Sequence, residues 1–403
     1  MDLSQFGPAS LGSLVPIKGT DPRSGPWEHA AFAPLPLPTE SPTLEAATYL
    51  AVADARAALA ALDSTARQLP NPRLLRRPTL QAEAQSTSAL EGTYAPLADV
   101  LTADEDRPDT PDLREVLNYV AMADRAFAWV EEGRPLTVGL LGELQQILVH
   151  RTRGENESSG RVRMGQVVIG RRQDAASTEL PVVAARFIPP PPGLDLDAGV
   201  RDLLDWIEVP RPRVVDPVVA AAMAHYQFET LHPFSDGNGR IGRLLIVIHL
   251  LKLGVLSEPT LTVSAWFEAR RSAYYDHLLG VSTSGAWDPF VRFFAEGLEA
   301  SAVQTRKQML ALASVQAQLK DVVRQSKLRA DTAHALVDYA VGHPTFTVRA
   351  VERDLGVSYA RANGLVGQLV SIGVLSPLDE SDNYRRRFYA PAVLGVLVAR
   401  GDA

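Results

Sequence analysis

Apolar residues recur at helical spacing along most of the chain. The Ala/Leu-rich run Thr43 to Leu69 predicts one long helix, broken by Asn71-Pro72. Further helices are predicted from about Thr79 to Thr93, Pro111 to Glu132 and Thr137 to His150, with Asp109 or Thr110 available to cap the second of these. Residues 1–43 break the pattern. They are rich in Pro, Gly and Ser and predict extended chain laid onto something else. Residues 151–200 break it again. The β-branched run Gly165 to Gly170 and the proline-stiffened Arg186 to Pro192 predict a hairpin. Helical patterns resume near Asp197 and continue to about residue 325.

The last 80 or so residues read as a separate unit. Leu328 to His343 is helical, Thr345 to Thr347 is extended, and two short helices flank Gly356. Two strands then enclose a charged turn, Asp379 to Asn383. Three helices followed by strand, turn and strand predict a winged helix.

Composition narrows the chemistry. The 403 residues carry a formal charge of −7 and no cysteine. That excludes disulfide frameworks, thiolate zinc sites and cysteine nucleophiles. Mild acidity argues against nucleic acid binding through the whole surface, though not through a local basic patch. The first twenty residues lack a basic stretch followed by an apolar run, and the apolar run Leu244 to Leu251 is too short to span a membrane. These features predict a cytoplasmic chain with no membrane partner.

The informative segment is His225 to Leu251, HYQFETLHPFSDGNGRIGRLLIVIHLL. Gly237-Asn238-Gly239 stands immediately before a helical run. Glycines at a helix entry let backbone N–H groups turn toward a ligand, and the helix N-terminus adds partial positive charge, so the pair makes an anion nest. Arg240 and Arg243 are spaced i, i+3 and project from one side of the first turn. Arginine suits phosphate because its fork binds two oxygens. Asp236 supplies one carboxylate, which beside phosphates suits Mg²⁺. Within this loop, His232 is the group able to accept a proton near pH 7. Nest, two arginines, one carboxylate and one base suit phosphoryl or nucleotidyl transfer.

The stretch His232 to Arg243, HPFSDGNGRIGR, resembles the signature of the Fic family, H-x-F-x-[DE]-G-N-G-R-x-x-R, with every defined position matched. The resemblance extends further. Leu74 to Tyr94 is similar to the inhibitory helix of the subclass that carries it N-terminally, pattern [ST]-x-x-x-E-[GN], matched by Thr87, Glu91 and Gly92. Residues 160–170, GRVRMGQVVIG, resemble the flap that docks a target segment. Pro259 to Leu278 resembles a later helix with a paired tyrosine, here Tyr274 and Tyr275. The C-terminal winged helix is a frequent companion.

The resemblance implies a mainly α fold: a Fic-type helical core with a short β-hairpin flap, plus a C-terminal winged helix domain. It implies an N-terminal region over 1–110, a catalytic core over 111–320 and a winged helix over 325–403. The implied activity is transfer of AMP from ATP to a Ser, Thr or Tyr hydroxyl of a target protein, with release of pyrophosphate. His232 becomes the general base and Asp236 the Mg²⁺ ligand. Gly237, Asn238 and Gly239, leading into Ile241 and Gly242, cradle the phosphates. Arg240 serves the β-phosphate side and Arg243 the γ-phosphate. Phe234 anchors the loop, and Tyr274 and Tyr275 line the nucleotide pocket along with Ser264. Gln166, Val167, Val168, Ile169 and Gly170 dock the target by β-augmentation.

Thr87 and Glu91 are i, i+4 on one face of the predicted helix. The resemblance implies that Glu91 pairs with Arg243 and occupies the γ-phosphate site. One departure stands out: Arg270 occupies the place where the family often has Asn near the adenine. Three readings follow. One is the adenylyltransferase. A second is a same-fold enzyme with another donor or direction: phosphate or UMP transfer, or removal of AMP. The third is a nucleotide-sensing winged helix regulator. Arg361 and Arg385 to Arg387 make DNA a candidate partner of the winged helix, alongside a second copy of the chain or presentation of targets.

Overall fold

The computed structural model describes all residues except 23–24, 69–72, 104–107, 210–213, 327, 329–330, 379–385 and 400–403. The predicted break at Asn71-Pro72, the charged turn Asp379 to Asn383 and Arg385 lie outside the described residues.

The chain groups into two compact units, each discontinuous in sequence. One comprises Met1–Ala57, Ala121–Val255 and Trp266–Glu299; the other comprises Ala58–Val120, Leu256–Ala265 and Ala300–Ala403. The long amphipathic runs form helices as the pattern predicts: Ala46–Gln68, Pro111–Glu131, Val138–Val149 and Trp287–Gln325. The second predicted helix is longer at its start and shorter at its end than expected. It spans Arg73–Leu90 and carries Pro78 inside.

In the first unit the site rests on two helices, Pro217–Leu231 and Asn238–Lys252. Pro217 occupies the first turn of the former, and the Asp216 carboxylate accepts from Val218 N at 2.8 Å, so the start is fixed both by φ and by a cap. This helix is buried nearly all round, as a central helix must be. Gly242 permits the close approach of its neighbour. A Cβ there would stand 2.2 Å from Glu229 Oε1 and 3.0 Å from Phe228 Cδ1.

The N-terminal region is extended and laid onto the rest of its unit, and it is also paired with itself, which the sequence reading did not anticipate. Gly12–Asp21 and Gly25–Pro34 pair antiparallel along ten residues each, from Gly12 opposite Pro34 to Asp21 opposite Gly25. Prolines at 16, 26 and 34 hide this pairing from a propensity reading. The hairpin buries Phe32 and Ile17 in a cluster with Val182, Phe187 and Ile188, and Ile169 packs against it. A second, much smaller pair joins Ile169–Arg171 to Ala185–Phe187, with Ile169 opposite Phe187. The expected flap is therefore present, although Gln166 to Val168 precede the ladder rather than join it.

In the second unit, helix Arg73–Leu90 packs on helix Asp331–Gly342. The C-terminal elements run helix Asp331–Gly342, strand Phe346–Thr347, helices Val348–Leu355 and Tyr359–Ser371, then strands Ser376–Pro377 and Arg387–Tyr389. The last strand lies centrally in a three-stranded antiparallel sheet. Thr347 and Ser358 cap the two short helices. A short helix Leu97–Thr102 and a terminal helix Pro391–Val398 were not anticipated.

Candidate active site

Helix Pro217–Leu231 ends at His232, which adopts a left-handed conformation, φ 49° and ψ 61°. Its backbone N donates to Phe228 O at 3.0 Å. A non-glycine residue at positive φ is uncommon and requires support from its surroundings. The imidazole Nδ1 lies 3.3 Å from Glu229 O. A carbonyl only accepts, so the contact places a proton on Nδ1 and, in the neutral ring, leaves the lone pair on Nε2. That is the tautomer a proton acceptor at Nε2 requires.

The loop 233–237 then turns tightly into the second helix. Asn238 closes it with both ends of its amide: Phe234 N donates to Asn238 Oδ1 at 2.9 Å and Asn238 Nδ2 donates to Phe234 O at 2.8 Å. The expected phosphate role of Asn238 thus falls to its backbone, because the side chain is committed to the loop. Phe234 is buried and anchors it, as expected. Gly237 caps the helix at φ 87°, and a Cβ there would meet Leu148 Cδ2 at 2.7 Å. Only glycine satisfies both conditions.

Arg240 and Arg243 are both essentially buried, at 2% and 1% exposure, on the first turn of the helix. Buried guanidinium groups beside a helix N-terminus add to its partial positive charge. Asp236 is half exposed. Its Oδ1 accepts from Gly237 N at 2.7 Å and lies 3.4 Å from Arg240 Nη2. Among the described residues no group of three or more His, Asp or Glu side chains gathers around a cation position. A cation on Asp236 would therefore take its remaining ligands from phosphate oxygens and water, which fits Mg²⁺.

Several functional supports were missed by sequence reasoning. Gln145 Nε2 donates to Asp236 O at 3.3 Å and its Oε1 accepts from Gly160 N at 2.6 Å. Gly154 lies so close to Asp236 that a Cβ would stand 2.0 Å from Oδ2. Arg163, 3% exposed, donates through Nε to His232 O at 2.8 Å. His225 is buried between the helices: its Nδ1 donates to Gly242 O at 3.1 Å, and its Nε2 accepts from Tyr274 OH at 2.7 Å. Burial holds its pKa down to about 3, so the ring is neutral. No spacing rule connects these residues to the motif; only the fold does.

The paired tyrosines separate. Tyr274 is buried, its hydroxyl given to His225, so it braces the motif helix from within the core instead of lining an open pocket. Tyr275 is partly exposed, with the guanidinium groups of Arg186 and Arg271 each 5.9 Å from its ring centre. Arg186 lies on the second flap strand. Arg270, in place of the expected Asn, stacks on Trp266 at 4.4 Å. Ser264 is also engaged. Its hydroxyl donates to Glu83 Oε1 at 2.5 Å, while Glu83 Oε2 accepts from Val263 N and Ser264 N. A buried carboxylate at these N–H groups leaves Ser264 a structural part of the second unit.

Glu91 falls one residue past its helix rather than on a helical face, and it is exposed. Gly92 N donates to Ala89 O and Thr93 N to Ser88 O, both at 3.0 Å, with Gly92 at φ 89°. This is a Schellman end, and it gives the Gly-or-Asn position of the pattern its physical reason: both residues tolerate the left-handed conformation. Thr87 is buried within the last turn.

Comparison with known proteins agrees with this geometry. A Fic/DOC family N-terminal model matches residues 49–128, and a Fic/DOC family model matches residues 135–250. A protein adenylyltransferase Fic of Culex quinquefasciatus is 40% identical over 118 residues, 29% of this chain and 22% of that protein. The protein adenylyltransferase fic-1 of Caenorhabditis elegans is 33% identical over 143 residues, 36% of this chain and 24% of that one. The chain thus spans under a quarter of the length of these curated relatives. The crystal structure of a Fic family protein from Desulfovibrio desulfuricans G20 superposes with a TM-score of 0.52 at 22% identity, covering 87% of this chain and 98% of that one. The motif loop and the helical fold around it thus lie within residues 135–250, which match the Fic/DOC family, preceded by residues 49–128, which match that family's N-terminal region.

Proposed function

We propose that the chain is a protein adenylyltransferase that moves AMP from ATP to a Ser, Thr or Tyr hydroxyl of a target protein. The observation that carries this reading is the contact of His232 Nδ1 with Glu229 O, which favours Nε2 as proton acceptor, on the same short loop as a glycine-entered helix N-terminus and two buried arginines. The triphosphate lies over the backbone of Gly237 to Gly239, with Arg240 and Arg243 compensating its charge. The target hydroxyl oxygen attacks the α-phosphorus in line. Its proton passes to His232 Nε2, and the bond from the α-phosphorus to the bridging oxygen breaks, releasing pyrophosphate. Mg²⁺ on Asp236 would supply charge neutralisation at the α- and β-phosphates. The strand Ile169–Arg171 is the docking edge for an extended target segment, a mode that selects backbone shape over sequence.

Autoinhibition by Glu91 belongs to the same proposal. It rests on the matched pattern Thr87, Glu91, Gly92 and on the fixed helix end that Gly92 creates. Incubation with α-labelled and, separately, γ-labelled ATP tests both parts. Label from α alone, raised in Glu91→Gly and lost in His232→Ala, is expected. Label from γ would replace transfer of AMP with kinase chemistry, and an unchanged rate in Glu91→Gly would remove the inhibitory role.

The order of C-terminal elements supports a winged helix. Its arginines are engaged within their own unit: Arg387 with Thr102 O, Arg361 with Thr332, Arg349 with Glu352 and Arg353 with Asp354.

A further inference from the structure

Arg163 is a buried cation whose hydrogen bonds all go to main-chain oxygens. Nε donates to His232 O at 2.8 Å, Nη1 to Gly165 O at 3.1 Å, and Nη2 to Pro190 O, while its backbone N donates to Pro233 O at 2.8 Å. Burial lowers its pKa to about 10, so it stays protonated at neutral pH. Burying a charge without a carboxylate is expensive unless oriented dipoles replace the lost water. Here the carbonyl beyond the end of helix Pro217–Leu231 is one such dipole, at the negative end of the helix.

The choice of partners is what gives the contact meaning. His232 O belongs to the candidate base, held at positive φ. Gly165 precedes the first flap strand and Pro190 follows the second. Gln166 repeats the link from the flap side, its Nε2 donating to Val167 O and Pro189 O, both at 3.0 Å. One planar, five-donor group therefore spans the base and both ends of the flap, which lysine, a point charge on a flexible stem, does not reproduce.

We propose that Arg163 is a positioning residue that sets the distance between the proton acceptor on His232 and the hydroxyl carried by a segment docked on the flap. The proposal rests on the transferase reading for its kinetic consequence but not for its structural one. It holds the imidazole by its own backbone, so the ring tautomer should depend on it even in the absence of any substrate. ATP should not: Gly237 to Gly239 are not among its partners.

The test uses the full chain with Arg163→Lys, Arg163→Gln and Arg163→Ala. Long-range ¹H–¹⁵N spectra of the histidine rings, with the His232 signal assigned from His232→Ala, read the tautomer without any activity. A single Nδ1–H form in the wild type and a mixed form in the variants are expected. Transfer from α-labelled ATP should fall about tenfold or more, with ATP affinity within about threefold of wild type. Methylguanidine added to Arg163→Ala should restore part of the rate. A folded Arg163→Lys or Arg163→Gln with the wild-type His232 signature and a rate within about twofold would overturn the proposal. If the wild type transfers no label, the transferase reading fails, while the spectra still decide whether Arg163 positions His232. If Arg163→Ala does not fold, the Lys and Gln variants carry the decision.

Discussion

His225 and His249 occupy the two motif-bearing helices and are both held neutral by burial, with pKa values lowered to about 3 and about 4 from an ordinary 6.5. His225 needs that neutrality, because its Nε2 must accept from Tyr274 while its Nδ1 donates to Gly242 O. In the unfolded chain both rings take up a proton near pH 6.5; folded, they do so only in much more acidic solution. The unfolded state therefore binds more protons between those values, and stability rises with pH across the interval. The contribution of these two rings to the unfolding free energy should be level above about pH 7 and fall toward about pH 4, by up to about 1.4 kcal/mol per pH unit for each histidine. Denaturant midpoints at about pH 7 and about pH 5 should lie closer together in His249→Phe than in the wild type. Identical gaps would mean that His249 is not the group responsible.

The flap is small, three residues in each strand, and a ladder that short is marginal alone. Its support is the N-terminal hairpin. Phe32 is fully buried, 5.8 Å from the Phe187 ring, and its backbone N donates to Ile188 O at 2.9 Å. Phe32→Ala should cost about 3–5 kcal/mol and open a cavity directly beneath the flap. Hydrogen exchange at the Ile169 and Arg171 amides should accelerate in that variant more than exchange in helix Asn238–Lys252. Equal acceleration in both would show a general loss of stability instead of a local one.

The same elements show what a sequence discloses. The helices were legible because their apolar stripes repeat within one segment, and the motif was legible because its chemistry is contiguous from His232 to Arg243. The N-terminal hairpin was not, because its reward is packing against residues about 150 positions away, while its own prolines argue for irregular chain. Arg163 was equally silent, since nothing local distinguishes it from Arg161 two positions earlier.

At the scale of the molecule, the segment bearing Glu91 groups with the C-terminal elements, and the nucleotide motif groups with the flap and the N-terminal hairpin. Within the second unit, Arg387 donates to Thr102 O and Thr345 to Leu101 O, and Thr93 donates to Glu115 at 2.9 Å just beyond the inhibitory pattern. That framework fixes where helix Arg73–Leu90 stops.

A fixed stopping point makes the helix a screw of set length. Inserting one alanine between its middle and Thr87 would keep every residue and spacing of the inhibitory pattern, yet turn Glu91 by about 100° and advance it by about 1.5 Å. If the carboxylate acts through its direction, the lengthened protein should label itself from α-labelled ATP as readily as Glu91→Gly does. If it still labels at the wild-type rate, presence of a negative charge suffices and direction is irrelevant. The left-handed glycine at position 92 would then be a helix terminator and nothing more; otherwise it is the part that keeps an inhibitory charge in phase with its target.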